Sequence, residues 1–193
     1  MSSSPSSRAG TGAAPDARYS GPAMLLHWMI VVLIFGLFPL GLYMSGLALS
    51  PRKIELYAWH KWFGLTVLLL VVLRVLWRVG HRPPPLPASV PRWQALVADA
   101  LHKLLYLLIL AIPLSGWALS SAAGVQVVWW GVLPLPSLLA PDHALARQLA
   151  EVHEWLNFTM AALVVAHVGA ALKHQFVDRD GVLLRMLPRL SKE

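Results

Sequence analysis

The chain has 193 residues, 57% of them hydrophobic and 13% charged, with a mean hydropathy of +0.60. A soluble fold of this size cannot hide so much apolar surface, so the composition points to a small polytopic membrane protein. Cysteine is absent, which excludes disulfides, thiolate metal sites and the C-x-x-C-H attachment of covalent haem. The net charge of +7 is what basic residues flanking membrane spans produce, and no nucleic-acid partner is expected.

In chain order, residues 1–20 are rich in Ser, Gly, Ala and Pro without apolar periodicity, the pattern of a disordered tail. Span one is expected over Ala23–Ser45, with His27 about one turn inside and Pro39 late in the segment. A polar connector, SPRKIELYAW, leads to span two over His60–Trp77, where Arg74 and Arg78 share a helical face at i, i+4. The proline-dense stretch after it, which carries His81, favours an extended, exposed linker. Span three is expected over Leu101–Ala118, with His102 at its start and Pro113 inside. A longer loop follows, carrying Trp129, Trp130, His143 and several prolines, and its make-up suggests a structured lid on the membrane surface. Span four starts near His153 and ends near Leu172, and residues 176–193 form a short basic tail able to rest on lipid headgroups. The fold class is therefore all-α, a transmembrane four-helix bundle over residues 21–175. Of the 16 Lys and Arg, all but Arg52, Lys53, Lys61 and Arg147 fall on the side of the termini, including Arg8, Arg82, Arg189 and Lys192. The positive-inside rule makes that side cytoplasmic.

Histidine placement carries the functional reading. His153 and His167 lie fourteen residues apart on nearly one helical face, about 21 Å along the axis. With this topology His60 is level with His153 near the outer surface, and His27 is level with His167 near the inner one. Imidazoles deep in hydrocarbon are costly and mark an internal site. Two facing imidazoles with space between them are how a four-helix membrane bundle can hold a b-type haem. With both axial positions of the iron filled, electron transfer is the natural task. Arg74 and Arg78 are candidates to meet propionates of the inner haem. His102 is level with the inner pair and suits a propionate hydrogen bond better than iron ligation.

The sequence also resembles the bacterial cytochrome b561 family. The resemblance rests on LLHW in span one, His60 followed by Arg74 and Arg78, LHKLLYLLILAIPLSG in span three, the HE-then-H spacing of span four, HVGAALKHQF and the ending LLRMLPR. It covers nearly everything after residue 20. It implies a di-haem bundle in the bacterial inner membrane, with two haem b groups ligated by the pairs His27–His167 and His60–His153. The most similar members look like superoxide oxidases, which pass electrons from superoxide at the periplasmic face to ubiquinone. In that picture His174 contacts the quinone, and Arg52, Lys53, Lys61 and Arg147 steer superoxide.

Two other readings remain at this point. One is a relay subunit passing electrons between a partner dehydrogenase or hydrogenase and quinone. The other is a haem-free transporter or metal-handling protein, which intramembrane histidines alone would allow.

Overall fold

The computed structural model describes residues 18–81, 83–87 and 89–187. Most of the expected N-terminal tail, with Arg8, and also Arg82, Arg189 and Lys192 lie outside them. Four long helices account for most of the described chain: α1 Gly21–Ser45, α2 Pro51–Gly80, α3 Arg92–Ala122 and α4 His143–Lys173. All four are long and apolar enough to cross a membrane. Apolar side chains such as Leu25, Phe35, Leu76, Leu107 and Val165 face outward, as contact with hydrocarbon requires.

Three helices begin about three turns earlier than the hydrophobic runs suggest, and the local chemistry explains each case. In α2 the hydroxyl of Ser50 accepts from the Lys53 N–H at 3.3 Å, with a proline in the first turn. The segment expected as a polar connector is therefore helix. In α4 Asp142 Oδ1 accepts from the N–H groups of Ala144 and Leu145 at 2.8 and 3.1 Å, so the helix starts at His143 instead of near His153. In α3 the first helical residue directly follows Pro91. Two turns further on, an exposed Asp99–Lys103 ion pair at i, i+4 adds support to the helix. Hydropathy reports where the bilayer lies, while caps decide where a helix ends.

The helices alternate in direction. Backbones pack closely between α1 and α2 and between α3 and α4, and less so between α2 and α3. Helices α1 and α4 meet through side chains, with Phe38 edge-on to Phe158 at 5.8 Å. The core lies midway along the bundle: Ile30, Leu70 and Val71 form one cluster, and Leu105, Leu108, Ile112 and Met160 form the other. This apolar plug separates two polar levels.

At one end of the bundle the loop between α3 and α4 folds into a small antiparallel hairpin, β1 Val128–Trp129 with β2 Leu133–Pro134. Its turn places Trp130 and Gly131 at φ 52° and 70°, the paired positive values of a type I′ turn. Trp130 stacks on Trp62 at 5.5 Å and meets Phe63 edge-on. Trp62 donates to the Val128 carbonyl and Trp129 donates to the Trp62 carbonyl, so the expected lid is pinned to α2.

At the other end the first and last described residues are tied together. Arg18 donates to the Leu187 carbonyl and the Tyr19 N–H to that of Arg185, and Trp77 donates to Ser20. Residues 18–20, grouped by composition with the tail, are thus held in place. The described part of the tail docks on protein: Trp28 donates to the Met186 carbonyl at 2.9 Å, and Arg185 to that of Pro85 at 2.6 Å. It continues directly from α4 through a π-turn, His174–Asp178, across the expected boundary at residue 175.

Candidate functional site

The polar levels on either side of the apolar plug are built from histidines. At the hairpin end His60 of α2 faces His153 of α4, ring centres 6.3 Å apart. Toward the chain ends His27 of α1 faces His167 of α4 at 6.5 Å. The four histidines singled out by depth therefore meet as the two expected pairs. Bonds of about 2 Å from a metal to each of two opposed imidazole nitrogens put ring centres about 6 Å apart. Both pairs have the spacing of imidazoles on opposite faces of one iron.

The pair at the hairpin end is shaped by small residues around the two rings. A Cβ on Gly41 would lie 3.3 Å from His60 Cε1, and one on Gly116 would lie 3.1 Å from His153 Cε1. Each ring thus sits in a notch that a side chain would fill. Ser115 donates its hydroxyl proton to the Ile112 carbonyl at 2.8 Å and stands 2.8 Å from His153 Nδ1. With its single proton so used, Ser115 Oγ accepts from Nδ1–H, which leaves the Nε2 lone pair free for a metal. His60 Nδ1 is buried and, among the described residues, has no hydrogen-bond partner. Neutral nitrogen donors in opposed, notched pairs suit a b-type haem.

The inner level is more crowded. His102 lies 5.2 Å from His167, ring centre to ring centre, closer than two imidazoles can be with an iron between them. Direct contact with His167 makes His102 a neighbour of the pair, and an iron would not fit between these two rings. Arg74 lies beside this level, and its hydrogen bonds serve the protein: Nε donates to the Tyr106 hydroxyl at 2.8 Å and Nη1 to the Ala23 carbonyl at 2.6 Å. Arg78 lies over the Tyr106 ring at 5.7 Å. Arg74 thus clamps α1, α2 and α3.

The remaining polar candidates separate by partner. Arg52 pairs with Glu55 at 2.8 Å. Lys53 donates to the carbonyls of Leu47 and Ser45 at 2.6 and 3.3 Å, which satisfies groups left open after the C-terminus of α1. Lys61 and Arg147 make no ion pair among the described residues, and Lys61 lines a cavity of about 500 Å³ beneath the hairpin with Lys53, Tyr57 and Trp62. His81 stacks flat on Trp77 at 3.9 Å, and His143 is exposed at the start of α4. His174 is bonded through Nδ1 to Asp180 at 2.5 Å, a partner that helical periodicity does not point to.

Comparison with known proteins agrees with this architecture. The chain is 38% identical over 181 residues to cytochrome b561 homolog 2 of Escherichia coli K12, covering 91% of this chain and 94% of that one. Cytochrome b561 homolog 1 of the same organism is 30% identical, covering 89% and 98%. A probable superoxide oxidase CybB of Yersinia pestis is 27% identical, covering 89% and 97%. The family profile described as prokaryotic cytochrome b561 matches residues 18–189. With four membrane-spanning helices and that match, the chain belongs to the prokaryotic cytochrome b561 family, haem b proteins that transfer electrons in the membrane.

Proposed function

We propose that this protein is a superoxide:ubiquinone oxidoreductase of the bacterial inner membrane, with its chain ends in the cytoplasm. The observation that carries the reading is the pair of opposed imidazole couples, 6.3 and 6.5 Å between ring centres, stacked about 21 Å apart along α4. In it His60 and His153 hold an outer haem b, and His27 and His167 an inner one. Haem b with two histidine ligands supplies one-electron transfer. The chain of residues does the rest.

At the outer level Ser115 fixes the His153 tautomer, and Trp62 and Trp130 tie the hairpin to α2 close to His60. Lys61, adjacent to His60 and facing the cavity under the hairpin, and the exposed Arg147 are the cations available to draw in a small anion. Arg52 and Lys53 contribute less, because their charge is already engaged with Glu55 and with the end of α1. At the inner end His174 contacts the quinone. Two superoxide anions and one quinone, with two protons, become two molecules of dioxygen and one quinol.

The test is a reduced-minus-oxidised visible spectrum of the purified protein with a haem count, repeated with superoxide as sole reductant at rising salt. Two b haems per chain, reduced by superoxide at a rate that falls with ionic strength, support the reading. Two haems reduced only by dithionite would replace it with a relay subunit that awaits a partner dehydrogenase or hydrogenase. A protein without haem would overturn it.

A further inference from the structure

The turn that follows α4 carries a buried carboxylate that the electron path leaves unused. Arg179 takes a left-handed conformation, φ 52°, and Gly181 follows at φ 74°. This reversal carries Asp180 back onto the start of the turn. Asp180 Oδ2 then lies 2.5 Å from His174 Nδ1, with the carboxylate only 6% exposed, and Oδ1 accepts from the Val182 N–H at 3.1 Å. The Asp180 N–H also donates to the His174 carbonyl, so backbone and side chain both fasten this histidine. Asp178 is the other carboxylate nearby. It stands 3.4 Å from Nδ1 and is engaged by Lys173 Nζ at 2.5 Å, so its charge is answered from elsewhere.

A carboxylate bonded to Nδ1 fixes an imidazole in the Nδ1–H tautomer and sets the ring's direction. We propose that Asp180 is a positioning residue for quinone reduction. It holds His174 so that Nε2 faces the quinone and hands over a proton there. This rests on the reading of His174 as the quinone contact. When two electrons have reached the quinone, one carbonyl oxygen takes the Nε2 proton of the imidazolium, the other takes a proton from water, and quinol results. His174 returns to the neutral Nδ1–H form and is reprotonated from water at the cytoplasmic end.

The experiment uses the purified holoprotein with Asp180→Asn, Asp180→Glu, Asp178→Asn and His174→Gln. A haem spectrum of each verifies the fold, and quinone reduction is followed with a short-chain ubiquinone. Asp180→Asn is expected to lower kcat about 100-fold with little change in KM, Asp180→Glu to recover most of that loss, and Asp178→Asn to stay near the parent. Nitrogen NMR of His174, assigned by difference against His174→Gln, provides a readout free of turnover. It is expected to show Nδ1 protonated in the parent and a mixture of tautomers in Asp180→Asn. An unchanged kcat and tautomer in Asp180→Asn, or an equal loss in Asp178→Asn, overturns the inference. If His174→Gln alone slows quinone reduction, the quinone reading stands without Asp180. If His174→Gln turns over like the parent, that reading falls first.

Discussion

The two histidine levels have nearly the same pair spacing, 6.3 and 6.5 Å, and are supported in opposite ways. The outer pair is set by subtraction: Gly41 and Gly116 leave notches for the two rings, one serine orients His153, and a hairpin closes the end. The inner pair is set by addition: a third imidazole lies against His167, two arginines flank Tyr106, and Arg74 joins three helices. A level built from notches tolerates little added volume. A level built from polar contacts tolerates volume better and loss of a partner worse.

The largest expected effect separates the levels outright. On the proposed ligation, His153→Ala or His60→Ala leaves one haem b per chain, bound at the inner level. His27→Ala leaves one at the outer level. His102→Ala keeps both, because its ring touches His167 without room for an iron between. Haem counts and spectra of the purified variants read this directly. Loss of a haem in His102→Ala would make the inner level a different ligand set.

A smaller effect tests the notches. Gly116→Ala places a methyl 3.1 Å from His153 Cε1, and Gly41→Ala places one 3.3 Å from His60 Cε1. Crowding of this kind costs about 2 kcal/mol when the ring cannot retreat, so Gly116→Ala is expected to lower outer haem affinity by more than tenfold and Gly41→Ala by less. Haem transfer to apomyoglobin, followed at the spectrum of each level, measures both. Equal retention in the two variants would mean that the rings are free to move and that the notches do not define the outer level.

Four spans and two level pairs were legible in the sequence because membrane thickness and helical rise convert residue number into depth. Depth alone put His27, His60, His153 and His167 on two levels. What escaped was lateral: depth says which residues share a plane, not which touch. His102 and His27 are level, yet only the packing of α3 on α4 shows which of them abuts His167. Ser115 is one small polar residue among several serines of α3, Gly41 and Gly116 carry no side chain, and a single glycine in a helix has many causes. The early helix starts followed from caps such as Ser50 and Asp142, signals present in the sequence but outweighed by hydropathy. The Asp180–His174 bond depends on a left-handed residue at Arg179, and Gly181 marks a turn without showing which side chain it brings back onto α4.

The smallest expected effect isolates the serine. Ser115→Ala removes the acceptor for His153 Nδ1–H and the donor to the Ile112 carbonyl, but adds no volume beside the ring. The loss is confined to orientation and basicity, for which a hydrogen-bonded partner of a ligating histidine is worth about tenfold in affinity at the low end. Ser115→Thr keeps the hydroxyl and is expected to restore most of it. Outer haem affinity should therefore fall about tenfold in Ser115→Ala, with the inner haem unchanged and the reduction potential of the outer one altered. Redox titration resolved by level reads both quantities in one experiment. A shift confined to the inner haem would reverse the comparison, because α3 would then support the level toward the chain ends and the hairpin end would rest on its glycine notches alone.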